Sequence, residues 1–274
     1  MNAAVVTGSV RNSLADAALR NAAHFWFLVA AAGQWVFAFY IAFFYGGSAA
    51  QGKPEVWNQI LPNGYIPGNT MGNTVLAAHL LFAAMITVAG TLQLIPQVRT
   101  RFPAFHRWNG RIYIVIAFIM GLSGLYLASS GRTVVGDAAQ HTAICINAIL
   151  IMMCAAQAWR YAMARDFSTH RRWALRLFLV VNGVWFFRVG LMFWLFINQG
   201  PVGFDPKTFT GPFLTGLNFA QFLLPLAVLE IYLRTKERGY SVGKLATATG
   251  IVVLTVAMGL GEFAAFMGLW LPHL

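Results

Sequence analysis

Apolar runs long enough to cross a hydrocarbon core of ~30 Å recur along the whole chain, separated by short polar stretches. They predict helices over 24–46, 74–96, 109–131, 139–163, 173–197, 213–234 and 245–271. Seven such spans make an all-α transmembrane bundle, one integral membrane domain over residues 1–274 with a four-helix core at about 74–197. The loop 47–73 is rich in Gly, Pro and Asn, and so is 198–212, which predicts ordered caps over one membrane face. The first twenty residues are polar and lack an apolar core, so the first span is expected to act as the targeting segment in place of a cleaved signal peptide.

Composition narrows the class further. Of 274 residues 58% are hydrophobic and 10% are charged, whereas a soluble globular chain is about 25% charged. Such a chain cannot cover a water-exposed surface. The formal charge of +11 does not imply nucleic acid, because the cations are sorted by loop. The N-terminus and the loops after spans two, four and six carry fifteen of the 19, from Arg11 and Arg20 through Arg99, Arg107, Arg111 and Arg160 to Lys244. The opposite loops carry only Lys53, Arg132 and Lys207, and Arg188 lies inside a span. The positive-inside rule then puts the N-terminus in the cytoplasm and the C-terminus on the far side, in a bacterial cytoplasmic membrane. Cys145 and Cys154 both fall inside one apolar segment and read as packing thiols. No hydrolase motif, phosphate loop or zinc-protease spacing is present.

The sequence also echoes itself. Span three opens with Phe105-His106-Arg107-Trp108-Asn109-Gly110-Arg111-Ile112-Tyr113, and span five with His170-Arg171-Arg172-Trp173-Ala174-Leu175-Arg176. His79 and His141 stand near the far ends of spans two and four, 62 residues apart, while His106 and His170 are 64 apart. Spans two and three therefore repeat as spans four and five. An axis along the membrane normal relates the copies, facing span two with span four and span three with span five.

That arrangement brings His79 opposite His141 and His106 opposite His170. Two imidazoles approaching from opposite helices meet the axial requirement of a b-type haem. Gly110, Ala117, Gly121, Gly124 and Ala128 follow His106 on its helix face, and Ala83 and Gly90 follow His79, so small side chains line both faces. Small residues at this spacing also serve direct helix packing, and interfacial histidines also serve as headgroup anchors. From His79 to the inner end of its span is ~28 Å at helical rise, a wide separation for two redox centres. Arg188 and Glu262 stand at similar depth inside their spans, so two roles are open to Arg188: a salt bridge with Glu262, or neutralisation of a haem propionate. The propionate role rests on Arg188 following His170 by eighteen residues on one helix face. Arg107 and Arg111, with Arg171, Arg172 and Arg176, read either as contacts for anionic lipid or as a place for propionates, a quinone head or another anion.

The H-R-x-x-G-R-x-Y order of His106–Tyr113, with His170-Arg171-Arg172-Trp173, resembles a bacterial family of polytopic membrane proteins known as a numbered domain of unknown function, over about residues 75–195. The histidines on four consecutive spans also resemble the cytochrome b561 pattern. That resemblance implies His79 with His141 and His106 with His170 as ligand pairs for one or two haem b groups. The expected function is electron transfer across or within the membrane, with a quinone or a redox protein as partner. The alternatives are a transporter or small-ligand-binding protein with a polar His/Arg cavity, and a structural subunit of a larger complex. Membrane lipids are expected partners and nucleic acid is not.

The topology carries its own test. A reporter fused after Leu274 should behave as extracytoplasmic and one fused at Gly239 as cytoplasmic, and like signals from both would overturn the odd number of crossings.

Overall fold

The computed structural model describes residues 3–130 and 136–274, with side chains from residue 13 onward. Arg11 and Arg132, counted above, lie outside those described side chains. Among the described residues all regular structure is helical, apart from one isolated bridge between Asp205 and Thr210. α1 (Ala3–Tyr40) runs through a π-helical stretch, Ile41–Gly46, into α2 (Gly47–Ala50). Then follow α3 (Thr70–Leu94), α4 (Pro96–Arg101), α5 (Pro103–Ser129) and α6 (Ala138–Met163). The remainder is α7 (Phe167–Val181), α8 (Gly183–Asn198), α9 (Pro212–Arg238) and α10 (Ser241–Ala265), the last extended by Phe266–Trp270 and Leu271–His273.

Local chemistry sets the helix starts. The side chains of Asn69, Asp137 and Asp166 accept hydrogen bonds from the backbone N–H groups of Gly72, Gln140 and Thr169, each satisfying a donor left over at a first turn. Pro96, Pro103 and Pro212 occupy opening positions where no backbone donor is needed. Six helices are long and apolar enough to span a membrane, and α7 with α8 makes a seventh when the bent pair counts as one span. The loop after α2 is the ordered cap its composition predicts: Trp57 Nε1 donates to the Tyr45 carbonyl and to Ser48 Oγ, and the Asn58 amide clasps the backbone of Tyr65.

Two expectations need correction. The first span is not confined to 24–46, since the candidate span covers Ser13–Ala50. Its early turns gain partners that a linear reading cannot see. Leu19 and Ala22 pack on Ala248 and Ile251 of α10, and Asp16 pairs with Lys244 at 2.8 Å.

The fifth span is broken, with α7 and α8 meeting at 52° around Asn182. A break in hydrocarbon leaves carbonyls without helical partners, and these must find donors inside the protein. Asn182 Nδ2 donates to the Phe178 carbonyl at 2.7 Å, and Asn147 Nδ2 on α6 donates to the Val180 carbonyl at 3.1 Å. Gly183 is the residue that lets α6 approach: a Cβ there would sit 2.7 Å from Asn147 Nδ2.

Four helices form a closed ring. α3 packs on α5, α5 on α6 and α6 on α7. The ring closes where Phe178 of α7 reaches the bare backbone of Gly90 on α3; a Cβ at Gly90 would lie 3.1 Å from that ring and 3.0 Å from the ring of Tyr113 on α5. In such a ring α3 stands diagonally across from α6, and α5 across from α7. α1 and α10 pack as a pair beside it, α10 also against α8, and α9 covers α6, α7 and α8.

Asn147→Leu should leave the Val180 carbonyl with only the backbone N–H of Asn182 as donor and cost about 1 kcal/mol, the net worth of one hydrogen bond. A lowered unfolding midpoint in detergent would register it; an unchanged midpoint would mean that the break is satisfied some other way.

Candidate functional site

The end of the bundle that carries the arginine-rich loops is called here the basic face, and the other the opposite face. Toward the opposite face, the ring of His79 leaves α3 in the direction of α5. Its Nδ1 lies 2.7 Å from Ser123 Oγ. The Ser123 hydroxyl spends its own proton on the Ile119 carbonyl at 2.7 Å, so Oγ can only accept from the imidazole. With the Ser123 proton on that carbonyl, the matching tautomer of His79 carries its proton on Nδ1 and a lone pair on Nε2. The backbone beside the ring is Gly124, where even an added Cβ would stay 3.9 Å from His79 Cε1. Across the ring of helices, on the first turn of α6, His141 has a buried Nε2 without any hydrogen-bond partner.

At the basic face the second pair is built similarly. Asp166 caps α7, and its exposed carboxyl is held below the usual range chiefly by hydrogen bonds from the Thr169 and Ser168 groups. One turn later His170 Nδ1 donates to the Ala158 carbonyl at 2.8 Å, again leaving Nε2 bare. His106 on α5 lies within electrostatic range of His170, and its buried Nδ1 has no partner. Gln93 Nε2 on α3 donates to the His106 carbonyl at 2.9 Å, and Asn109 Nδ2 donates to the Ala89 carbonyl at 3.0 Å. The Asn-Gly step of the signature is thus the latch between α3 and α5. The repeat is visible as well: Arg111 stacks over Trp108 at 4.9 Å and Arg176 over Trp173 at 4.7 Å, the same i, i+3 pair in both copies.

The stripe of small residues divides its work. Gly124 leaves space beside His79, but Gly121 is packed directly against Met152 and the Ala148 carbonyl of α6, and Gly90 is filled by Tyr113 and Phe178. Aromatic side chains therefore plug the depth between the two histidine pairs. An apolar cavity of about 350 Å³ between α5 and α6, beside Ile114 and Trp159, holds no histidine and is a separate feature. Among the described residues no group of three or more His, Cys, Asp or Glu converges as a metal site. The candidate donors are instead four imidazoles on four helices, of which His106 and His170 lie within electrostatic range of one another. Single imidazoles of this kind match the chemistry of axial haem ligation better than that of a three-ligand metal centre.

The arginines sort by partner. Arg176 pairs with Glu230 at 2.7 Å and Arg172 with Glu237, tying α7 to α9. Arg107 and Arg111 are exposed and have no carboxylate within salt-bridge range among the described residues. The expected Arg188–Glu262 salt bridge is not formed. The Glu262 carboxyl instead lies against Gly33 of α1 with a buried Oε1 unpartnered, while Arg188 sits over the Phe37 ring at 5.4 Å. The break at Asn182 also removes the continuous helical register that related Arg188 to His170. Among the amides inside the spans, Gln93, Asn147 and Asn218 donate to another helix, Asn182 and Gln221 serve their own, and Gln34 is fully buried with both amide atoms unpartnered. Cys145 and Cys154 are free thiols, as their setting predicts. Ser123 escaped sequence reasoning, because a serine in an apolar helix ordinarily bonds only its own backbone.

The tautomers can be read directly. With histidine labelled at its ring nitrogens, NMR spectra of haem-free protein should show His79 and His170 protonated at Nδ1 with bare Nε2. The opposite tautomer at either position would contradict the site geometry.

Comparison with known families and structures completes the description. A family model described as a predicted membrane protein, DUF2306, matches residues 76–224. No curated protein and no solved structure matches the chain.

Proposed function

The chain belongs to this family of predicted membrane proteins, and on that footing we propose that it is a b-type membrane cytochrome. In this reading His79 with His141 and His106 with His170 ligate haem b across the two diagonals of the helix ring. The observation that carries it is that His106 Nδ1 and His141 Nε2 are buried without a partner, while His79 and His170 are each held through Nδ1 by a neighbouring group. A metal-ligating imidazole is typically oriented by a hydrogen bond from its second nitrogen, which is the part played by Ser123 and the Ala158 carbonyl.

Bound haem supplies one-electron redox chemistry at its iron. The chain's own contribution is ligation, orientation and charge. Arg107 and Arg111 place unneutralised positive charge beside the basic-face pair, where it stabilises propionates or an anionic quinone head. Tyr113 and Phe178 keep water out of the depth between the pairs. With the basic face in the cytoplasm of a bacterium, the two pairs lie on a route across the membrane, between a quinol or a redox protein on one side and an acceptor on the other.

One observation favours a second reading, passage of a small solute. The broken span is ringed by buried amides, Gln140, Asn147, Asn182, Asn218 and Gln221, and discontinuous helices line binding sites in transporters.

Protein purified from haem-supplemented cells should show the reduced alpha band of low-spin haem. His79→Ala or His141→Ala should remove the contribution of one pair, and His106→Ala or His170→Ala that of the other. Absence of haem from the folded wild-type protein would overturn the cytochrome reading and leave the solute reading standing.

A further inference from the structure

At the basic face α1 and α9 present polar positions to one cavity. On α1, Asp16, Leu19 and Arg20 fall at i, i+3 and i+4, and on α9 Tyr232 and Lys236 fall at i and i+4, so each set lies on one face of its helix. These five side chains line a cavity of about 150 Å³. Its floor is apolar and anchored: Leu19 is buried with Ala22 against Ala248 and Ile251 of α10, and Tyr232 packs on the same cluster. Its rim is cationic. Lys236 Nζ stands over the Tyr232 ring at 5.7 Å, and Arg20 is exposed on the other helix.

The one carboxylate in the wall is already engaged. Asp16 Oδ1 pairs with Lys244 of α10 at 2.8 Å, whereas neither Arg20 nor Lys236 has a carboxylate within salt-bridge range among the described residues. Arg20, Lys236 and Lys244 against Asp16 leave the surround of the cavity with a net charge of +2. The sorting of cations to one side of the membrane accounts for their presence on this face, but not for two of them on different walls of one cavity. Lys236 also stands in the last turn of α9, where a cation complements the helix dipole, a need that Arg238 meets as well. A guanidinium fork and an ammonium point charge around a small cavity suit an anion with several acceptor oxygens. Basic pockets between membrane helices on the cytoplasmic side take phosphorylated headgroups.

We propose that Arg20 and Lys236, over a floor of Leu19 and Tyr232, bind a phosphate group at the basic face. The group belongs either to the headgroup of an anionic phospholipid or to a soluble phosphate compound. The pairing of Asp16 with Lys244 offsets the repulsion that its carboxylate would exert on such a ligand. The site shares no residue with the two histidine pairs and does not rest on the cytochrome reading.

The test follows the unfolding midpoint of the full-length protein in detergent. One arm titrates inorganic phosphate against chloride at matched ionic strength, and the other titrates phosphatidylglycerol against phosphatidylcholine in mixed micelles. A midpoint that rises with inorganic phosphate identifies a soluble source, and one that rises only with phosphatidylglycerol identifies a lipid. Arg20→Gln and Lys236→Gln should each raise the half-saturating amount about fivefold, the worth of one cation near an anionic surface. Both side chains are exposed, so these variants should fold. Arg238→Gln is the control, since that cation lies at the same helix end but outside the cavity, and it should leave the response unchanged. Three results would overturn the proposal: no preference for phosphate or phosphatidylglycerol in the wild type, a preference that survives both Arg20→Gln and Lys236→Gln, or a loss in Arg238→Gln as large as in Lys236→Gln. The last would mean that the diffuse charge of the basic face attracts the anion without a site.

Discussion

The bundle depends on the contact between the Phe178 ring and the bare backbone of Gly90. Otherwise α3, α5, α6 and α7 form a row in which each packs on the next. With it, α7 folds back onto α3 and the row becomes a ring. Ring closure is what turns sequence neighbours into diagonal partners, and it is only across a diagonal that His79 can face His141, or His106 face His170. A Cβ at position 90 would meet Phe178 or Tyr113 at close to 3 Å, so any larger residue there must push one of the two rings aside by a few tenths of an ångström.

A hydrocarbon surrounding imposes the second constraint, that polar groups find partners within the protein. The fifth span meets it by cross-bracing, with Asn147 and Asn182 taking up the carbonyls freed by the break. α7 and α9 meet it through Arg172–Glu237 and Arg176–Glu230 at the basic face. Among the described residues the buried groups that do not meet it are one imidazole nitrogen each on His106 and His141, the Tyr113 hydroxyl, the Asn147 amide oxygen, the indole N–H groups of Trp185 and Trp270, and the Gln34 amide with the Glu262 carboxyl. Satisfied polar groups explain why the fold holds. The unsatisfied ones mark where chemistry has been left open.

Most of the helical architecture was legible in the sequence, because hydrophobic length acts locally. The repeat was legible too, and its two Trp–Arg stacks show that the echo of Trp108–Arg111 in Trp173–Arg176 is structural. What could not be read were properties set by a neighbouring helix. Within residues 173–197 the Asn182-Gly183 step is the local mark of a break, but the apolar run on both sides of it reads as one span; a donor that supports the break comes from α6. The early turns of α1 before residue 24 pack on α10, and Glu262 and Arg188 each settle against α1, at Gly33 and Phe37, instead of pairing with one another. Of the small residues on the α5 face, Gly124 clears space beside a histidine and Gly121 simply packs on α6. Periodicity treats both alike, so it could not tell a groove from a seam.

The central claim is that imidazoles on opposite helices of a closed ring act as paired axial ligands. Its most direct test is the low-temperature electron paramagnetic resonance spectrum of the oxidised, haem-loaded wild-type protein. Two imidazole ligands on each iron predict low-spin ferric signals with no high-spin component. A high-spin ferric signal as the main species would mean that the histidines do not act in pairs, and would contradict the account.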